Sequence, residues 1–600
     1  MQNKKCSNYK PTPQSGVHCP VSPHHKTKSS TILNNQNRVK NNFVHHIMRT
    51  GTLAIFLATN LLVGGKVIAQ ETSLKKEVMV VRPYEPSISD AFKINQPPRI
   101  EDTIRVKPNF TYTIVQRPAV AAFTPNPISA ARMMAEPLKD LSNGYLKLGM
   151  GNATLPVAEA YFMSKRNPDF MYGAWVQYRS KIGKVKLENS KKVDASSSTA
   201  NLQIFGKRMF ANKILQGDLS YNNTAKTYYG YNILDSLISP TSEKQKVNRI
   251  NANLNFNTSR KDSAHFNYNA LASFEHLGDK FDMQENRITA SGGLNKYLKQ
   301  EQLGVDISFT HYSRSSQLDM QNNSILNISP WIHFFGKQWR AVAGLYMVYD
   351  ANSGINNTYI YPRAFLSYDV VSHYIIPFVE FGGYLEENSY SKLIQENPWV
   401  TPGLSGWNTT HKLAMTGGVK GKFSARVSYN VQASYSIIDS LYFFTNTSIN
   451  PANPLYNRFN LDFDNVELTK ILGELTIAPS ERFSLLLHTE YFNYKMNKLA
   501  HPWHKPDYNA YAELRYNLRE KIYTNLQLFA VGKRWALSPD GVSPVRLNGY
   551  VDANLGFDYN FNNRLYAFLN LNNIASSHHQ EWYLYPVQGF NVQLGLSYKF

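Results

Sequence analysis

The sequence predicts an all-β protein, a transmembrane antiparallel β-barrel of about 22 strands with a short irregular segment ahead of it. Three observations predict it. Apolar residues alternate strictly with polar ones in many runs of eight to twelve residues, which is the pattern of strands with one apolar and one wet face. The breaks between these runs are short and long by turns. The 600 residues include 38 Tyr and 32 Phe, while only 18% are charged. Aromatic strands with an amide-rich second face suit a barrel that meets lipid on one side only.

Residues 1–47 are polar and basic, and Met48 is the expected true start. The stretch GTLAIFLATNLLVGGKVIAQ (51–70) follows Arg49 and contains Asn60 and a Gly pair. It is too broken to span a bilayer as a helix and reads as a secretory signal peptide cleaved between Ala69 and Gln70. Nine of the 64 Lys and Arg residues and none of the 43 acidic ones lie in 1–69. Cleavage therefore lowers the net charge from +21 to +12, which removes most of the support for nucleic-acid binding and leaves anionic headgroups or solutes as partners. Both cysteines, Cys6 and Cys19, precede the cleavage site, so the exported chain is expected to carry no disulfide.

Residues 70–143, including QPPRIEDTIRVKPNF and AAFTPNPISAARMMAEPLKD, are Pro-rich and lack periodicity. Proline fixes φ and removes a donor, so little regular structure is expected there. The segment would line or partly plug the lumen, or hang in the periplasm.

From Gly144 to Phe600 alternation marks 22 strands. INANLNFN places Ile250, Ala252, Leu254 and Phe256 on one face; LGVDISFTHY places Leu303, Val305, Ile307 and Phe309; YVDANLGFDYNF places Val551, Leu555, Tyr559 and Phe561. The opposite faces are polar, with amide and carboxylate side chains prominent among them. Short breaks fall at 166–170, 259–263, 299–302, 335–338, 479–483, 518–521 and 560–564. Long polar stretches lie between them at 183–199, 233–246, 386–408, 445–457, 497–507 and 575–589. Short turns on one side and long loops on the other belong to an outer-membrane barrel, and an even count puts both ends of the strand region on the periplasmic side. The final strand, GFNVQLGLSYKF, ends on an aromatic because the last strand of a closed barrel must pair with the first. Tyr598 and Phe600 are therefore expected to form the assembly signal.

The run NLNNIASSHHQEWYLYPVQGFNVQLGLSYKF resembles the end of TonB-dependent outer-membrane receptors. Asn570, Leu571, Asn572, Tyr585, Pro586, Gly589, Phe590, Gly595, Leu596, Ser597, Tyr598 and Phe600 stand at the matching places. The resemblance implies a 22-stranded transporter barrel in the cell outer membrane and a role in solute uptake. A full plug domain of that family does not fit into 70–143. KKEVMVVRPYEP (75–86) looks like the short coupling box of such receptors, with Glu77, Val78, Met79, Val80 and Val81 as its centre, or like an ordinary apolar strand. The implied partners are outer-membrane lipids and lipopolysaccharide, the barrel assembly machinery, and TonB or a surface lipoprotein. A passive porin-like channel and a structural or assembly subunit are the other readings.

No catalytic residue, metal site or cofactor is expected. His501 and His504 in HPWH and the pair His578-His579 fall in loops, without a third ligand type at metal-binding spacing. Trp331, Trp339, Tyr359, Tyr361 and Trp582 lie near strand ends and read as interfacial girdles, with stacking on sugar rings as their alternative use.

Overall fold

The computed structural model describes residues 142–152, 154–233, 243–259, 265–352, 355–448 and 455–600. The expected start at Met48, the cleavage site Ala69-Gln70 and the coupling-box residues Glu77 to Val81 lie outside them.

Twenty-two strands form one antiparallel sheet, from Gly144–Gly151 to Asn591–Lys599. Consecutive wall strands pair with each other, and the last pairs with the first along Tyr145↔Lys599 to Gly151↔Gln593. The sheet is thus a closed barrel, the only β arrangement that leaves no edge to lipid. Phe600 completes the seam: its carbonyl accepts from the Asn143 and Gly144 amides (2.7 and 3.2 Å), and its own amide donates to Gly144 (3.0 Å). Gly149 and Gly595 face each other across this seam. A Cβ on Gly595 would stand 2.1 Å from the Leu148 carbonyl and 2.5 Å from the Phe568 ring, so only glycine allows the close approach.

The alternation sorts as the sequence predicts. Leu594, Leu596, Tyr598 and Phe600 are exposed, as are Ile250, Leu254, Leu303, Ile307, Phe309, Val551 and Phe561. A continuous apolar outer wall of this kind has no soluble counterpart. The inner wall is polar and cross-linked. Glu159 accepts from the Trp175 indole (3.1 Å) and the Gln177 amide (3.2 Å), Asn253 donates to Asp218 (2.9 Å), and Glu490 bridges Lys470 (2.6 Å) and His488 (3.5 Å).

One end of the barrel carries short turns, such as 210–212, 299–300, 425–426 and 481–482. The other carries the long loops, with three short connections among them at 152–153, 280–283 and 353–354. The stretch 183–199 is not one irregular loop: Lys184–Lys186 pairs with Lys192–Asp194, and the next wall strand already begins at Ser197. Two neighbouring strands, Val427–Thr447 and Arg458–Ser480, have 21 and 23 residues, whereas about 9–11 suffice to cross a bilayer. Their excess rises above the wall at the long-loop end and buries Tyr442, Phe443, Phe444, Phe459 and Leu461.

Candidate functional site

Among the described residues, the largest buried apolar cluster lies at the long-loop end, built mainly from the loops and the strand ends beneath them. It joins Val185, Leu187 and Val193 of the first hairpin to Tyr228 and Tyr231, Leu393 and Trp399, Phe444 and Phe459, and Trp582 and Tyr585. These side chains come from four connections and two strand ends that lie far apart in the chain, and none could bury itself alone. Trp399 stacks on Tyr585 (centroids 4.1 Å apart, 25°), and Tyr229 meets Tyr585 edge-on at 4.9 Å. The polar ends are anchored as buried aromatics require: the Trp399 indole donates to the Thr227 carbonyl (3.0 Å) and the Tyr229 hydroxyl to the Pro586 carbonyl (2.9 Å).

The centre of this cap is the loop 387–408 with its helix Tyr390–Glu396. The sequence SYSKLIQE starts the helix by ordinary capping: Ser389 is extended (φ −82°, ψ 154°) and accepts from the Lys392 amide at 3.1 Å. The first amides then point at a wall residue. Glu285 accepts from Tyr390 N–H and Ser391 N–H (both 3.0 Å) and pairs with the Arg314 guanidinium (2.7 Å). Both partners are almost fully buried, with 1% and 5% of their side chains exposed. Arg249 donates to the Ser391 carbonyl (3.1 Å), Tyr390 to Asp279 (2.9 Å) and Tyr312 to Glu387 (2.6 Å). At the far end Glu396 takes bonds from Lys505 (2.8 Å) and Tyr442. Alternation places Arg249, Glu285 and Tyr312 on the inner side of their strands, so this loop is folded into the mouth and tied to the lumen wall.

Burial pushes the Glu396 carboxyl up, but the Lys505 ammonium and two hydrogen bonds outweigh it and hold the group below the usual carboxylate range. Glu387 stands above its ordinary value, burial outweighing the Tyr312 bond and nearby arginines. His504 is pushed down to about 3 by burial, with Arg534 and Lys505 adding to the cost of a charged ring. It sits neutral beneath the Tyr583 amide and against the Phe444 carbonyl (2.9 Å).

These placements correct several expectations. Trp582 is buried in the cap, where it meets Phe444 and Phe459 edge-on, and belongs to no girdle. Trp331 donates to Asp306 on the inner wall (2.8 Å) and lies over Gly304. Tyr361 is buried beside Tyr359 in an inner cluster with Tyr312 and Leu385. Trp339, exposed beside the 336–338 turn, alone of the five fits a girdle. His501 stacks on Trp535 at 4.2 Å, His504 packs against Phe459 and Trp582, and His579 stacks on Tyr550, so these three histidines serve aromatic packing within the cap. Among the described residues no cluster of three metal-ligating side chains occurs.

No family model and no curated protein matches the chain. Solved structures do match its fold. A siderophore receptor of Acinetobacter baumannii, PirA, is 9% identical over 78% of this chain and 81% of its own, with a TM-score of 0.59. The FrpB iron transporter of Neisseria meningitidis is 11% identical over 77% and 82%, TM-score 0.60. The pyoverdine outer membrane receptor FpvA of Pseudomonas aeruginosa, bound to pyoverdine, is 10% identical over 78% and 79%, TM-score 0.56. The chain therefore shares the fold of these large barrels.

Proposed function

We propose that the chain is an outer-membrane barrel of the TonB-dependent-receptor type that admits a solute through a gated mouth, and that it does no covalent chemistry. The observation that carries this reading is the loop cap: a 22-strand lumen is wide, and here its mouth is covered by a packed core with the helix Tyr390–Glu396 tied to the inner wall. The long-loop end is then the cell surface and the short-turn end the periplasm. The fold shared with PirA, FrpB and FpvA supports uptake as the role. A permanently open pore is disfavoured by the same cap.

In this reading the chain is exported by its signal peptide and assembled through Tyr598 and Phe600. Its segment Glu77–Val81 engages TonB, and its outer wall meets lipid and lipopolysaccharide; a surface lipoprotein is a further partner. Planar-bilayer recording of the purified protein tests the gate. Near silence is expected, and replacing 390–405 by a short glycine-serine linker should open a steady conductance. Large steady currents from the unaltered protein would make it a passive channel. Deleting 75–86 should abolish binding to purified TonB without changing barrel assembly; undiminished binding would remove the coupling box.

A further inference from the structure

The short-turn end of the barrel is basic. Among the described residues its turns, from 164–169 to 563–564, hold nine Lys and Arg against four Asp and Glu. All nine cations are exposed. Four successive turns, 425–426, 481–482, 519–521 and 563–564, carry Arg426, Arg482, Arg519, Lys521 and Arg564, with only Glu481 and Glu520 opposing them. The turn before them, 369–375, has neither Lys nor Arg, so the basic arc begins after it.

The backbone holds these residues in place. The Arg426 carbonyl accepts from the Ala478 amide (2.7 Å), Arg482 from Asn517 (2.8 Å), Lys521 from Asn560 (2.8 Å) and Arg564 from Lys599 (2.7 Å). Each turn is thus tied to the strand beyond its own hairpin, and the row is fixed along the rim. Arg426, Arg482 and Arg519 enter no ion pair among the described residues. Phe423, Tyr516 and Phe561, two or three residues back on the strands that lead into these turns, are exposed. Exposed rings at strand ends mark the headgroup level, so the turns beyond them stand in water.

The spacing decides what such a row can hold. Neighbouring turns are two strands apart, roughly 10 Å, so their charges do not converge on one small anion. The four turns consist of Ala, Arg, Glu, Lys and Asn and lack the apolar centre of a specific protein interface. Fixed, separate cations suit a polymer that bears carboxylates at intervals, each contact weak and the sum substantial. We propose that this arc binds peptidoglycan through the carboxylates of its peptide stems and tethers the periplasmic end of the barrel to it. The proposal rests on the short turns lying in the periplasm, and neither on uptake nor on TonB.

The test sediments the full chain, in detergent micelles, with insoluble peptidoglycan sacculi. Binding is expected at about 50 mM salt and should weaken by about tenfold at about 300 mM, as separate surface charges are screened. Arg426→Gln, Arg482→Gln, Arg519→Gln and Arg564→Gln together should lower the affinity by about tenfold at low salt. Gln keeps every backbone bond named above, so heat-modifiable mobility should not change. Lys191→Gln, Lys192→Gln, Lys244→Gln and Lys246→Gln, four exposed cations of the opposite end, should leave sedimentation as it was. Equal sedimentation by the arginine variant overturns the arc, and equal loss from the lysine variant reduces it to an effect of net charge. Undiminished binding to sacculi with amidated carboxylates overturns carboxylate recognition. Release by polyglutamate as complete as by soluble peptidoglycan fragments would make the partner any acidic polypeptide. Labelling of Ala425→Cys by an impermeant maleimide on intact cells would overturn the periplasmic placement itself.

Discussion

At the scale of the residue, the barrel turns single substitutions into tests of facing. Leu594 is exposed at the middle of the last strand, and Gln593 beside it faces inward. Leu594→Arg should cost about 2–4 kcal/mol near the midplane, while Gln593→Arg should leave reversible unfolding in detergent-lipid mixtures almost unchanged. A second residue sets a pH dependence. His504 has its folded value lowered from 6.5 to about 3. Below 6.5 the unfolded loop takes up a proton that the folded one refuses, so stability is full above that point and falls as pH drops toward 3. Proteolysis of the loops should therefore accelerate between pH 6.5 and 4.5, above the range in which Glu396 titrates. His504→Gln, which stays neutral, should reduce that acceleration, the remainder belonging to His579, which burial lowers to about 4 in the same cap. Legibility also divides at this scale. The period of two separates faces without saying what each face meets, and so Leu594 reads correctly but Tyr361 does not. Above the bilayer the same period points aromatics such as Trp582 into a protein core, and only the fold distinguishes that from lipid.

Among the elements, the strands were legible and the loop cap was not. A strand of a membrane barrel declares itself locally, since its neighbours are the next strands in the chain and its two media differ sharply. The short turns therefore stand close to where the sequence puts them, for example 299–300 inside 299–302 and 336–338 inside 335–338. The cap is assembled from connections hundreds of residues apart, as in the Trp399–Thr227 and Tyr229–Pro586 bonds, and no local pattern encodes such pairings. The helix Tyr390–Glu396 shows what this hides. It has fewer than two turns of its own and is marginal in isolation; Glu285 and Arg249 on the wall hold it in place. Glu285→Leu removes the acceptor for two amides and strands Arg314 in a buried site. It should cost about 3 kcal/mol in the cap, seen as loop cleavage at lower protease concentration and as frequent channel openings, with the barrel itself still heat-modifiable.

On the scale of the molecule, closure depends on the two chain ends of the strand region meeting. Phe600 makes three backbone hydrogen bonds to Asn143 and Gly144, so removing it shortens the ladder that seals first to last strand. Deleting Phe600 should lower the amount of heat-modifiable protein in outer membranes, and an unchanged yield would show that the seam tolerates a frayed end.

The separation of a wet-walled barrel from a dry cap also has a calorimetric consequence. Heat capacity on unfolding tracks the apolar area newly exposed to water. The barrel wall exchanges lipid or detergent for nothing it did not already touch, whereas the cap hides its aromatics from water and would release them. A scan of the protein in micelles should show two endotherms. The earlier one should carry nearly all of the baseline step and vanish after proteolytic trimming of the loops, and the later one should remain as a sharp transition on a flat baseline.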